Sequence, residues 1–210
     1  MLKNYIDLYS KKSIIITPII SNTKAPFLID WQNKEYDEDL LIEQHGNKDF
    51  ALVTGPISNI MVLDLDLVDD KYKKLIIPIL EKYPTPIKRN GSKRKLPSMF
   101  YRNFNFSYTK INIDINNGVE FLSKGRCCVL PPAKHPEGHN FSWVEMSLLD
   151  IDIDDLPEFN PDMYLELQNV LRGHSGKSNA EFGRHLKLVS IASAMIENNE
   201  PFSKIVDELI

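Results

Sequence analysis

The sequence predicts a mixed α/β fold, a strand-rich domain with helices inserted, followed by a helical segment. Three observations lead there. Short runs rich in β-branched and aromatic residues recur from residue 13 to residue 144. Stretches with helical spacing of apolar residues fall among them. Beyond an acidic, proline-punctuated segment at 150–161 the texture turns helical. The order β, α, β, β, α, several β, then α belongs to a mixed architecture of layers.

Residues 13–20 read as a strand interrupted by Pro18, which places it at an edge or ends it early. Lys24, Pro26 and Trp31 fall in an irregular link. Residues 37–44, with Leu40, Leu41 and Ile42 among acids, predict a short helix. Residues 50–54 form the next strand, closed by Gly55 and Pro56. Residues 60–67 form another, nearly continuous in apolar side chains except for Asp64 and Asp66. Helical spacing of Tyr72, Leu75, Ile76, Ile79 and Leu80 predicts a helix over 70–83, with Pro78 inside it and Pro84 and Pro86 as its stop. Further strands are expected at 98–102, 118–122 and 126–130, the last running into Pro131 and Pro132, with a short one at 141–144. Helical periodicity follows at 164–171 and 180–197, and a helix begins at 202–210. The expected organisation is a mixed α/β domain at 1–150, then an acidic linker and helical segment at 151–210. The last helical pattern runs on without a cap, so the chain is expected to be a piece of a longer polypeptide.

A chain of 210 residues, 42% hydrophobic and 26% charged, suits one sizeable core or one domain with a short appended piece. The longest apolar runs are strand-sized, and the N-terminus lacks a signal-peptide stretch. The expectation is a cytoplasmic protein with no membrane partner. Cys127 and Cys128 are adjacent, which excludes a disulfide framework and a Cys-x-x-Cys zinc site. The net charge of −4 is unevenly spread. Lys88, Arg89, Lys93, Arg94, Lys95, Arg102 and Lys110 occur with no acid between residues 84 and 112, whereas residues 145–166 carry acids and no Lys or Arg. Such polarity lets one face meet phosphates while the other keeps the protein in solution.

The sharpest chemical feature is Leu63-Asp64-Leu65-Asp66. Alternation along a strand puts both carboxylates on one face. Paired carboxylates at the end of an apolar strand repel each other unless a cation neutralises them, and hard oxygen donors at this spacing suit Mg²⁺ or Mn²⁺. Glu120, a single acid inside the apolar 118–122 strand, supplies a third donor if that strand pairs with the first. Three such acids hold two ions about 3.5–4 Å apart for in-line phosphoryl transfer. Arg126, Lys134 and His135 follow at once and are candidates for gripping a triphosphate. Gly173, Gly176, Lys177 and Ser178 imitate part of a phosphate loop. Leu171 stands where that motif requires Gly and no strand precedes it, so a helix-start loop is expected.

In combination these residues resemble the bifunctional primase-polymerase branch of the archaeo-eukaryotic primase superfamily. The resemblance runs through Lys24-Ala25-Pro26, Trp31, Val53-Thr54-Gly55 and Asp64-Leu65-Asp66. It continues in Glu120, Gly125-Arg126, Pro131-Pro132, His135-Pro136, Gly138 and Trp143, over roughly residues 10–145. It implies a primase-like core whose RRM-like sheet carries the acids, joined to an N-terminal α/β unit. It further implies primer synthesis or extension from NTPs or dNTPs on single-stranded DNA, with Mg²⁺ or Mn²⁺ held by Asp64, Asp66 and Glu120. A helicase domain or subunit is a partner that such cores suggest. One departure stands out. The family's second motif carries a His that contacts nucleotide phosphates, and Ser98 occupies that position here. Ser98, Arg126, Lys134 and His135 are the candidate nucleotide ligands. The basic turn of Lys88, Arg89, Lys93, Arg94 and Lys95 is the candidate for template or primer phosphates. Two rival readings use the same residues: a nucleic-acid-binding replication module without catalysis, and a different metal-dependent phosphotransferase or nuclease.

Overall fold

The computed structural model describes residues 1–33, 37–92, 94–103 and 106–172. The helices expected at 180–197 and 202–210, the loop at 173–178 and Lys93 lie outside the described residues. In chain order the elements are α1 (Ile6–Ser10), β1 (Ile16–Pro18), α2 (Glu38–His45), β2 (Phe50–Val53), β3 (Ile60–Asp66), α3 (Asp70–Lys82) and β4 (Lys88–Asn90). They continue with β5 (Ser98–Arg102), β6 (Thr109–Asn112), β7 (Gly118–Leu122), β8 (Cys127–Val129), β9 (Ser142–Trp143) and α4 (Pro161–Arg172). The mixed α/β class expected from the sequence is the class observed. No helix among the described residues is long and apolar enough to cross a membrane.

The strands form two antiparallel sheets, a small one in the order β1-β2-β8 and a large one in the order β6-β7-β3-β5-β4-β9. Pro18 ends β1 at the outer edge of the small sheet, where its missing N–H breaks no ladder. Asp37 starts α2 by accepting the Leu40 N–H at 3.0 Å. Pro78 lies on the exposed side of α3, so the helical bond it removes falls toward water.

Alternation gives the large sheet two different faces. On one, Leu63 pairs with Phe121 and Met99 in neighbouring strands, and the Phe121 ring meets Phe159 at 5.7 Å and Tyr164 of α4 at 5.2 Å. Tyr72, Ile76 and Ile79 of α3, with Met163, Leu167 and Leu171 of α4, are buried in this helical layer. On the other face, Ile60, Val62, Phe100 and Leu122 pack with Phe50, Leu52, Cys128 and Leu130 of the small sheet and its margin. Strand β3 therefore starts between two layers and emerges at its C-terminal end, where Asp64 and Asp66 are half-exposed and Leu65 stays buried.

The small sheet's fit beside β3 explains Val53-Thr54-Gly55. The Thr54 hydroxyl donates to the carbonyls of Ser123 and Arg126 at 2.7 and 2.9 Å. Gly55 has φ +96°, and a Cβ there would meet the Lys124 backbone at 2.6 Å. This close approach locks the turn after β2 against the turn before β8.

Candidate active site

Register puts the acids together. In the β3–β7 pair Asp64 is directly opposite Glu120, and Asp66 is opposite Gly118. Cross-strand side chains share a face, so Asp64, Asp66 and Glu120 converge on one rim of the large sheet. Like charges placed opposite each other destabilise a sheet unless they are neutralised. Each acid here has a donor. Lys110 of β6 is opposite Glu120 and its ammonium lies 2.5 Å from Oε1. Lys95 reaches Asp66 Oδ1 at 2.6 Å. The Ser98 hydroxyl donates to Asp64 Oδ1 at 2.6 Å.

Behind Ser98 stands Arg89. It pairs with Ser98 across β4–β5 and donates from its guanidinium to the Ser98 hydroxyl oxygen at 2.8 Å. The same guanidinium lies 3.5 Å from Asp64, hydrogen-bonds the Val129 carbonyl of β8 and covers the Phe141 ring at 4.6 Å. One lateral row thus crosses five strands: Lys110, Glu120, Asp64, Ser98, Arg89. Its charges run plus, minus, minus, neutral, plus. Hydrogen bonding to Glu120 and the attraction of its charge raise the Lys110 pKa above the ordinary lysine value, so Lys110 is a cation at neutral pH.

The turn that follows Asp66 is built by a buried residue, Asn117. Its side-chain oxygen accepts from the N–H groups of Val68 and Asp69 at 2.9 and 3.1 Å, and its amide donates to Asp114. Gly118, next in sequence, leaves Asp66 without an opposing side chain. A Cβ there would meet the Lys110 stem at 3.4 Å.

The expectation of a basic turn starting at Lys88 needs correction. Lys88 and Arg89 are strand residues of β4 and project to opposite faces. Arg89 is buried at 5% exposure and committed to the acid row, so it is not a surface contact for nucleic acid. Arg94 is exposed, while Lys95 is turned back onto Asp66. Of the candidate triphosphate ligands, Ser98 and His135 are linked through Arg89 and the Phe141 ring. Arg126 and Lys134 flank β8 at its two ends. The Arg126 guanidinium stacks on the Tyr108 ring at 3.8 Å. Lys134 is exposed, and its N–H donates to Asp49. His135 is packed between the His139 and Phe141 rings, and burial beside Lys24 lowers its pKa below the usual imidazole range. The resemblance named Lys24, but its position beside His135 was not legible before the link that bears it was folded. Burial raises the thiols of Cys127 and Cys128 to about 12 and about 11, as expected of structural strand residues.

The donor set of the rim is all oxygen and open to water, with side-chain exposures of 24% for Asp64, 35% for Asp66 and 23% for Glu120. Lysine ammonium groups at two of the acids show that the rim attracts cations. Oxygen donors of this kind suit a hard divalent ion such as Mg²⁺ or Mn²⁺. With Asp64, Asp66 and Glu120 turned to Ser98, Lys95 and Lys110, however, their oxygens do not all lie within 4.8 Å of one another, so an ion shared by the three would have to draw them off these partners.

A family model described as "Bifunctional DNA primase/polymerase, N-terminal" matches residues 7–159, which spans both sheets, the acid row and the loop that follows β8. No curated protein matches the chain.

Proposed function

This chain belongs to the bifunctional DNA primase/polymerase family, a family of nucleotidyl transferases, and from that membership we propose that it makes or extends primers from NTPs or dNTPs on single-stranded DNA. The observation that carries the reading is the direct opposition of Asp64 and Glu120, with Asp66 on the same face.

In this reading Asp64, Asp66 and Glu120 hold Mg²⁺ or Mn²⁺, which when bound supplies activation of the primer 3′-hydroxyl and neutralises charge on the triphosphate. The protein's own residues do the remaining work. Arg89 and Ser98 fix the Asp64 carboxylate by a relay of two hydrogen bonds. That relay supplies positive charge behind Ser98, where the family carries a His. Lys95 and Lys110 neutralise Asp66 and Glu120 in the free protein, and on substrate binding their ammonium groups turn to the phosphates. Arg94 and the other exposed cations bind template or primer phosphates, a contact that weakens steeply with salt.

The test is a primer-synthesis and extension assay on single-stranded DNA with labelled nucleotides, Mg²⁺ and Mn²⁺ compared, for the parent and an Asp64→Asn/Asp66→Asn variant. Template-dependent incorporation that the variant lacks supports the proposal. If the parent incorporates nothing yet binds DNA, the chain is a binding module. If it shortens an end-labelled primer, it is a nuclease. The buried Ser98, tied to Asp64 rather than open to a nucleotide, is the observation that favours the binding module as second reading.

A further inference from the structure

We propose that the turn after β8 is a second metal site, in which His135, Glu137 and His139 bind one transition-metal ion such as Zn²⁺ or Co²⁺ with donors other than the carboxylates of the rim.

The turn is closed by backbone bonds. The His135 N–H donates to the His139 carbonyl at 2.7 Å, the Gly138 N–H donates to the His135 carbonyl at 2.8 Å, and Lys134 bridges Asn140. Residues 135 and 139 become opposed partners of a tight hairpin, and their imidazoles lie side by side, centroids 4.4 Å apart and 14° from parallel. One donor atom from each of His135, Glu137 and His139 lies within 4.8 Å of the other two.

Both rings are held, and their tautomers follow from their partners. The Nε2 of His139 hydrogen-bonds the Gly91 carbonyl, which only accepts, so Nε2 carries the proton and Nδ1 keeps its lone pair. An imidazole donating its far N–H to a backbone carbonyl is the outer-shell arrangement that orients a metal-binding His. In His135, Nδ1 accepts the Glu137 N–H at 3.2 Å, so its lone pair faces the turn, and a bound ion would take the place of that long bond. The Glu137 carboxylate lies 3.8 Å from it, is 71% exposed and can swing inward. Its charge offsets Lys24 and Lys95, which act on His135 electrostatically. Two imidazoles and one carboxylate favour borderline ions over Mg²⁺, and leave a coordination position to water. A bound ion would pin the turn to Gly91 at the end of β4, the strand that carries Arg89.

The experiment uses the full chain in excess Mg²⁺, so that the carboxylate rim is saturated. Co²⁺ is followed by its ligand-field absorption, and Zn²⁺ by competition with a chromophoric chelator. One equivalent should bind with micromolar affinity or better. His139→Ala and the exposed, fold-neutral Glu137→Gln should each weaken it by about 10-fold or more. Asp64→Asn/Asp66→Asn should bind the ion as the parent does, which keeps this outcome separate from the polymerase reading. The proposal is overturned if neither turn variant changes the affinity, if only the aspartate variant loses the ion, or if no binding tighter than millimolar is seen.

Discussion

Asp64 and Glu120 face each other across the β3–β7 ladder, each held from its outer side by a group with positive charge at hand: Ser98, backed by Arg89, for Asp64, and Lys110 for Glu120. Two carboxylates are thereby held side by side on a rigid sheet. Strand positions hold side chains more firmly than loops do, which suits a site that must place reacting groups closely.

Asp64→Asn should reduce nucleotide incorporation by about 100-fold or more while leaving the protein folded. An amide oxygen still accepts from Ser98, and the repulsion from Glu120 is gone. Against that relief, the buried Arg89 guanidinium 3.5 Å away loses its carboxylate partner, so urea unfolding without metal should show a folded variant within about 2 kcal/mol of the parent. Unfolding of the variant would place Asp64 in the scaffold instead.

Arg89→Ala should destabilise by roughly 2–4 kcal/mol, because the Ser98 hydroxyl and the Val129 carbonyl lose a buried charged partner. Arg89→Lys should recover only part, since an ammonium lacks the planar fork that serves two acceptors at once. Chemical denaturation of the three proteins measures this order. Ser98→Ala, which breaks the relay without removing the charge, should cost about 1 kcal/mol.

Lys110→Met removes the cation on Glu120. The metal-free protein should melt lower and gain more from added Mn²⁺ than the parent does. The free carboxylates then bind the ion without displacing an amine. Thermal melts with and without Mn²⁺ test it, and an equal Mn²⁺ increment in both proteins would count against Lys110 and the ion competing for Glu120.

Arg94→Ala should weaken single-stranded DNA binding evenly across sequences and lower the slope of log K against log salt by about 1. Arg89→Gln, by contrast, should leave that slope unchanged, because the buried guanidinium meets no phosphate. Fluorescence anisotropy over a salt series distinguishes the two.

Gly55→Ala should destabilise by roughly 1–3 kcal/mol. Its φ of +96° disfavours any side chain, and a Cβ would meet the Lys124 backbone. The stability loss should be measurable by urea titration and should not depend on divalent metal.

Much of the fold was legible because its signals are local. Strands β2, β3, β5 and β7 are runs of apolar or β-branched residues, and α3 carries its spacing over thirteen positions. Elements without such patterns were not legible. Strand β4, Lys88-Arg89-Asn90, has no apolar alternation and reads as a turn. Strand β6, at the sheet edge, buries only Ile111. Helix α1 is five residues long, and its apolar spacing is too short to register.

The sequence by itself determined that Asp64 and Asp66 share a face, because the period of a strand is a property of the backbone. It also marked Glu120 as an acid in apolar company, and the ordered motifs that identify the family. Only the tertiary structure decided which strand lies beside which. That pairing opposes Asp64 to Glu120, turns Arg89 from a surface cation into a buried partner of Ser98, and sets Lys110 on Glu120. Register between distant strands follows from the packing of two faces at once, and no local window of residues contains that information.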